Sequence, residues 1–141
     1  MKAPWHFWVL ALLGLVWFAG GAYDYVMTSY GNEDYLSILT PEQRAWIDTR
    51  PMWFTVVWAV SVWSAVLAMV AMILRSRVAG HLMLLSLVAY IPSLIWSYVL
   101  STPTAFDVTG MIGVGFSVVI FVTLVFFISY CASMARRGVL R

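Results

Sequence analysis

Charge is scarce in this sequence: Asp, Glu, Lys and Arg together account for 10% of its 141 residues. Soluble globular domains usually carry about 25% charged residues, so the composition excludes an ordinary water-soluble protein. Apolar side chains take the place of charge, since 63% of the residues are hydrophobic and 16% are aromatic. The composition therefore indicates a chain that folds in lipid.

Cysteine is nearly absent as well. The lone Cys131 excludes an internal disulfide and any CxxC redox or zinc motif. The sequence also lacks the GxSxG, HExxH, Walker and GxGxxG patterns that carry common enzyme chemistry. We therefore expect no enzymatic activity, no metal or other cofactor, and no nucleic-acid partner.

Four stretches contain no charged residue and are long enough to cross a bilayer: 3–23, 52–74, 78–106 and 108–135. They lack the polar and apolar alternation of barrel strands. We predict an all-α protein, a membrane four-helix bundle that forms one transmembrane domain over 1–141. The predicted spans are about 6–28, 52–74, 82–100 and 110–134, with an outer loop over 29–51.

The distribution of charge between the loops predicts the orientation. Six of the eight basic residues fall on one side of the predicted spans: Lys2, Arg75, Arg77, Arg136, Arg137 and Arg141. All six acidic residues fall on the other. Because basic loops stay in the cytoplasm, both termini are predicted to be cytoplasmic. The alternative is that the first span is a signal peptide cleaved near "FAGGA", but a single Lys before the span and the continuing helix favour a retained span.

The outer loop contains helix-capping signals. In "TPEQ", Thr40 is a predicted N-cap, followed by Pro41 and by Gln43 at the position that completes a capping box. A short helix from Pro41 to about Thr49 should follow and lie at the membrane surface. Asn32 is a second predicted cap, for a turn in which acidic residues suit the helix N-terminus.

Small and hydroxyl residues recur at three- and four-residue steps on each span, as on helix faces that pack together in lipid. The predicted packing residues are Gly14, Gly21, Ser61, Ser64, Gly113 and Ser117. In the third span Pro92 predicts a kink. Thr109 or Asp107 is predicted to cap the fourth span.

Asp24 is the candidate ion or substrate contact, because an ionisable residue in a spanning helix is often functional. In one interpretation it faces Tyr90 and Ser97 in a wet vestibule and acts there as a proton or cation site. In the other it is an interfacial carboxylate that pairs with Arg44 or Arg50, or with tyrosine hydroxyls. Two histidines near the cytoplasmic ends, at positions 6 and 81, leave a haem as a remote alternative.

Four segments resemble a group of short four-helix proteobacterial inner-membrane proteins that carry the label "sugar transporter". They are "PWHFW", "GGAYDYVMTSYGNEDYL", "LTPEQRAWID" and "ARRGVLR", and they extend over nearly the whole chain. The resemblance implies a location in the bacterial inner membrane.

Two functions are consistent with these features. The first is a small transport-related membrane protein that acts as a homo-oligomer, because four helices seldom enclose a solute path alone. The second is an accessory or assembly subunit of a larger membrane complex, which would bind partners through small-residue faces and the acidic outer loop.

Overall fold

Residues 2–141 are described by a computed structural model, in which no β-strand occurs. The helices, numbered in chain order, are α1 Trp5–Ser29, α2 Glu33–Leu36, α3 Pro41–Asp48, α4 Met52–Ile73, α5 Val78–Ile95 and α6 Ala105–Arg136. A π-helical turn, Trp96–Leu100, extends α5.

The four long helices are long and apolar enough to cross a membrane, and this confirms the predicted all-α, multi-pass class. The most apolar 18-residue windows of α1, α4, extended α5 and α6 have mean hydropathies of 1.5, 2.3, 1.9 and 2.7. Even α5 with its π-turn, at 23 residues, reaches roughly 34 Å at about 1.5 Å per residue. Large apolar side chains cover the outside of the bundle, as Leu13 and Ile112 illustrate with exposures of 63% and 87%. Such a surface suits lipid.

The helices are arranged in the order α1, α4, α5, α6. Helix α4 packs against both α1 and α5, and α5 also packs against α6. Helix α6 approaches α1 through side chains, including an edge-to-face contact of Phe18 with Phe127 at 5.7 Å between ring centroids. Both chain ends lie at one end of this bundle, which we call the terminal end. Helices α2 and α3 lie at the opposite end, the loop end.

The terminal half of the bundle holds the main core. Its fully buried large side chains include Phe7, Met69, Met72, Met83 and Leu124. Gly14 allows α1 to come close to its neighbours there, since a Cβ at this position would lie 2.5 Å from Met69 Sδ and 2.7 Å from Phe127 Cζ. This half of the monomer is densely packed.

The C-terminal segment closes the terminal end. Val139 and Leu140 are each 1% exposed and belong to the main core. The Arg141 amide donates to the Arg75 carbonyl at 2.7 Å, and the Arg77 amide donates to the Arg141 carbonyl at 3.1 Å. The basic turn between α4 and α5 is thus bonded to the end of the chain.

The predicted caps of the loop-end helices are confirmed. Thr40 caps α3, with its side chain and that of Gln43 forming the reciprocal capping box, and the Asn32 side chain caps α2. Trp46 of α3 is buried and stacks obliquely on Trp96 at 5.6 Å. Helix α3 therefore packs one side against the bundle, and its placement at a membrane surface stays a prediction.

The predicted cap of the fourth span was wrong. Helix α6 begins at Ala105, and its N-cap is Thr104, whose side chain forms a capping box with Asp107. Thr109 lies inside the helix, where its hydroxyl donates to the Ala105 carbonyl at 2.6 Å. The extra turn is possible because Gly110, at φ 64° and ψ −155°, adopts a conformation almost confined to glycine and joins the turn to the long helix.

Pro92 lies inside α5, and the helix continues past it. One turn later the hydrogen-bonding pattern widens into the π-turn, where the Ser101 amide donates to the Trp96 carbonyl at 2.8 Å. Irregular turns of this kind often occur near proline and near functional sites. This one places Ser97 and Tyr98 at the loop end.

Candidate functional site

A cavity of about 400 Å³ lies at the loop end. We call it the loop-end cavity; its polar lining includes Asp24, Tyr35, Arg50, Tyr90, Ser93 and Ser97. The three residues that the sequence singled out as ion or substrate contacts, Asp24, Tyr90 and Ser97, thus line a single cavity. Its volume falls in the range of small-molecule sites, about 300–1,000 Å³.

Asp24, on the penultimate turn of α1, is held by hydroxyl groups. The Tyr35 hydroxyl donates to Asp24 Oδ1 at 2.6 Å, and the Thr28 hydroxyl donates to the same oxygen at 3.4 Å. Arg44, one of the two expected partners, instead pairs with Glu33 at 2.9 Å. Burial, followed by the hydrogen bond to Asp24, raises the pKa of Tyr35 well above its ordinary value, so this hydroxyl remains a donor.

Arg50 enters the same cavity from the three residues, 49–51, that link α3 to α4. Its Cζ lies 4.9 Å from the ring centroids of Trp46 and Phe54 and 5.0 Å from that of Trp58. The three rings form an aromatic box around a cation, an arrangement favoured by the negative faces of the rings.

The Arg50 guanidinium keeps unused hydrogen-bonding capacity. Its Nε is buried and has no hydrogen-bond acceptor among residues 2–141. Burial lowers the pKa of Arg50 to about 10, and the charge of Asp24 acts in the opposite direction. At neutral pH the group is therefore a charged donor in a partly dehydrated setting, where an anion would be bound more strongly than in water.

The aromatic box was missed by the sequence reasoning, although the sequence carries a signal for it. Trp46, Arg50, Phe54 and Trp58 recur at four-residue steps, the spacing that puts side chains on one helix face. The helical backbone is interrupted between α3 and α4, so the four residues belong to two helices. For this reason the periodicity is not recognised as that of a single helix face.

Tyrosine hydroxyls tie α5 to α6 on the far wall of the cavity. The Tyr90 hydroxyl donates to the Ser117 carbonyl at 3.2 Å, and the Tyr98 hydroxyl lies 2.8 Å from Ser117 Oγ. Ser97 is nearly buried, and its carbonyl accepts a hydrogen bond from Ser101 Oγ at 2.9 Å. This wall is fixed by hydrogen bonds on the α6 side of the site.

A second cavity, of about 560 Å³, lies deeper among the four long helices. We call it the mid-bundle cavity; its lining is mainly apolar and includes Val16, Phe18, Val62, Ala65, Ile120 and Leu124. The two cavities adjoin, because both are lined by Asp24, Tyr35, Trp58, Tyr90 and Phe116. The terminal half of the bundle is therefore densely packed, whereas the loop-end half contains open space.

The residues predicted to pack between helices have different surroundings. Gly14 and the serine pair Ser61 and Ser64 are buried, whereas Gly21 is partly exposed beside Val62 Cγ1, 3.9 Å from where its Cβ would be. Ser61 reaches across to α5. These positions are consistent with a close α1–α4–α5 assembly.

The two predicted packing residues of α6 lie on the cavity side. Gly113 and Ser117 are partly exposed and line the loop-end cavity. A side chain at Gly113 would collide with Thr109 of the same helix. The lack of a side chain at Gly113 thus leaves room for Thr109, in the turn before Gly110. Ser117 bonds to tyrosines of extended α5, as described above.

The two histidines have separate partners. His6 Nδ1 lies 2.7 Å from the Tyr130 hydroxyl, and His81 Nδ1 lies 3.4 Å from the Arg77 carbonyl. Within residues 2–141 there is no group of three or more His, Cys, Asp or Glu side chains placed to hold a metal ion. Nothing in this geometry adds to the haem alternative.

No protein-family model, curated protein or solved structure matches the chain, so the site is interpreted from its own geometry. The resemblance to the four-helix proteobacterial group therefore stays a prediction. What distinguishes the site is an acid and a base from different elements that line one cavity.

Proposed function

We propose that this chain is a small transport-related protein of the bacterial inner membrane, similar to the proteobacterial group named above, that binds its solute in the loop-end cavity. The observation that carries the proposal is the shared cavity of Asp24 and Arg50. Charged groups in or beside spanning helices are expensive to maintain and typically mark solute or ion pathways. The adjoining mid-bundle cavity extends the space toward the membrane centre.

In the proposed orientation the terminal end faces the cytoplasm. Six of the eight basic residues belong to the chain ends and the α4–α5 turn, as the positive-inside rule requires. The loop-end cavity then faces the outer side of the membrane. A solute would meet Arg50 and Asp24 first.

Homo-oligomerisation is part of the proposal because the terminal half of one copy is closed. The core around Phe7, Met72 and Met83 is fully buried, so a path to the other side needs either a rearrangement or an interface with a second copy. Helix α6 offers an apolar surface for such an interface: only 11% of its most apolar window is buried in the monomer. A two-fold symmetric contact between identical faces is the commonest arrangement of homo-oligomers.

Flux through reconstituted vesicles tests this function. Proton flux can be followed with an internal pH dye, uptake of glucose and of glycine with labelled solutes, and transfer of a labelled phospholipid between leaflets with an external quencher. We expect at least one flux above that of protein-free vesicles, and a several-fold loss in Asp24→Asn and in Arg50→Gln. The matched control is Arg44→Gln, which removes an exposed pair with Glu33. Fluxes equal to those of empty vesicles would overturn the proposal.

The second candidate is an accessory or assembly subunit of a larger membrane complex. It is favoured by the same uncovered α6 surface, together with the exposed acids Glu33, Asp34, Glu42 and Asp48 of the loop end. Purification in native lipid distinguishes the two functions. Foreign subunits that co-purify in fixed stoichiometry would support the accessory role, whereas a homo-oligomer alone would support the transport role.

A further inference from the structure

Arg50 has the features of an anion anchor. Its guanidinium is enclosed by three rings at about 5 Å, its buried Nε has no acceptor among residues 2–141, and no carboxylate of those residues forms an ion pair with it. A guanidinium edge offers parallel donors to a carboxylate or phosphate. Because Arg50 lines the loop-end cavity, a ligand there can meet this group.

Asp24 supplies the opposite charge to the same cavity. Both of the hydrogen bonds that it accepts from protein, from Tyr35 and from Thr28, go to Oδ1. A ligand with an oxyanion alone would bring a second negative charge toward this carboxylate. A ligand that also carries an ammonium group would satisfy Arg50 and Asp24 together.

The mid-bundle cavity supplies an apolar compartment directly next to these charges. Asp24, Tyr90 and Trp58 belong to the walls of both cavities, so a ligand that contacts these side chains lies next to both. Below the carboxylate the lining is mainly apolar, down to the level of Ser61 and Ser86. An acyl chain that enters from the bilayer would exchange hydrocarbon for this apolar lining, so its transfer would cost little.

The seam between α1 and α6 gives this compartment a side facing lipid. Two ring contacts bridge the seam near the mid-bundle cavity: Trp17 with Phe116, with centroids 6.1 Å apart, and Phe18 with Phe127, 5.7 Å apart. Trp17 and Phe116 line the cavity and are 38% and 60% exposed, whereas Phe18 and Phe127 are buried. A chain from the bilayer would therefore enter beside the exposed pair, Trp17 and Phe116.

We propose that the two cavities form one site for a phospholipid with a zwitterionic ethanolamine head group. Its phosphate meets Arg50, its ammonium meets Asp24, and an acyl chain enters the mid-bundle cavity between α1 and α6. This deepens the proposed function, because it names the class of solute that the loop-end cavity binds. A neutral sugar would bring no oxyanion to Arg50 and no ammonium to Asp24, and a purely anionic lipid would face Asp24.

Lipid binding to the intact, detergent-purified protein tests the proposal without requiring transport. The retention of phosphatidylethanolamine, phosphatidylglycerol and phosphatidylcholine with identical acyl chains is measured by native mass spectrometry. We expect phosphatidylethanolamine to bind at least tenfold tighter than the other two. Arg50→Gln and Asp24→Asn should each weaken it at least tenfold, whereas Arg44→Gln should leave it unchanged.

The Asp24→Asn variant should also change the relative affinity for two lipids, an effect that would not occur if Asp24 were only structural. Removal of the carboxylate should raise the affinity for phosphatidylglycerol relative to phosphatidylethanolamine, since the repulsion of the anionic head group is gone. Equal binding of the two lipids by the native protein would overturn the proposal. An unchanged preference in a folded Asp24→Asn variant would do so as well.

A third variant tests the acyl-chain compartment and keeps the proposal falsifiable if the charge variants fail to fold. Gly21→Leu adds a side chain to the wall of the mid-bundle cavity, where the nearest atom is Val62 Cγ1. It should weaken binding of the two-chain lipid but not of phosphoethanolamine without chains. Undiminished lipid binding would show that the chain lies elsewhere. If the lipid binds but no flux is measured, this inference stands and the transport function fails. If flux is measured but the lipid does not bind, the transport function stands and this inference fails.

Discussion

Ser61 and Ser86 exchange hydrogen bonds across the α4–α5 interface. The Ser86 hydroxyl donates to the Ser61 carbonyl at 2.7 Å, and the Ser61 hydroxyl donates to the Ser86 carbonyl at 3.0 Å. Both side chains are buried, in a region where lipid offers no competing partner. The pair thus joins two helices at the floor of the mid-bundle cavity.

Loss of either hydroxyl should weaken the α4–α5 contact. Ser61→Ala and Ser86→Ala each remove a donor to a carbonyl of the other helix, so each should cost about 0.6 kcal/mol, the usual size of an interhelical hydrogen bond in a membrane protein, in unfolding measured by SDS titration. Ser93→Ala is the control, because the Ser93 hydroxyl bonds to the Tyr90 carbonyl of its own helix. A loss in Ser93→Ala as large as the losses in the other two variants would refute the assignment.

Gly14→Ala should destabilise the protein, and Gly20→Ala should not. The added methyl at Gly14 would lie 2.5 Å from Met69 Sδ, and overpacking of this kind costs about 1–3 kcal/mol. A methyl at Gly20 meets no atom within 4 Å. The free energies of unfolding of the two variants in the same detergent check this, and equal values would contradict the close approach of α1.

Loss of the Thr40 cap should loosen α3 and, with it, the wall that carries Trp46. Thr40→Ala removes the oxygen that accepts from the Gln43 amide at 3.2 Å, at a cost of about 1 kcal/mol. Amide hydrogen exchange should accelerate at Gln43 and Arg44. Thr40→Ser keeps the oxygen and should retain slow exchange; acceleration in both variants would mean that the cap is not the cause.

The end of the chain should contribute to stability through Leu140. Truncating this buried side chain in Leu140→Ala should cost about 2 kcal/mol or more, as large-to-small changes in a core do. Arg141→Ala is the control, because the Arg141 side chain is exposed and its bonds to the α4–α5 turn use the backbone. Unfolding in detergent is the measurement. A neutral Leu140→Ala would contradict the packing of the tail.

Local signals made the helices and their caps predictable. Charge-free runs place the long helices, and the cap of α3 depends on Thr40 and Gln43, three residues apart, so both can be read without tertiary information. The start of α6 was wrong for a local reason too. Gly110 can turn the chain at positive φ, so a helical turn precedes it and the cap moves back to Thr104.

The site was only partly predictable because its members come from separate elements. Asp24 stood out as an acid in an apolar helix, and a tyrosine partner was among the alternatives. The tyrosine partner of Asp24 is Tyr35, which reaches α1 because α2 folds back toward it. The aromatic box around Arg50 shows only as a four-residue spacing that the break between α3 and α4 interrupts. The cavities depend on the spacing between helices, which no short window encodes.

The most direct test of the central claim, a loop-end cavity open to the outer side, is the accessibility of a cysteine within it. Cys131, which is buried, is first replaced by Ala. Ser93→Cys places a thiol in the cavity wall, and Leu85→Cys places one on the exposed apolar outside of α5. The account predicts that a membrane-impermeant maleimide added outside intact cells labels Ser93→Cys and not Leu85→Cys. Labelling of Ser93→Cys only from the cytoplasmic side, or not at all, would contradict it.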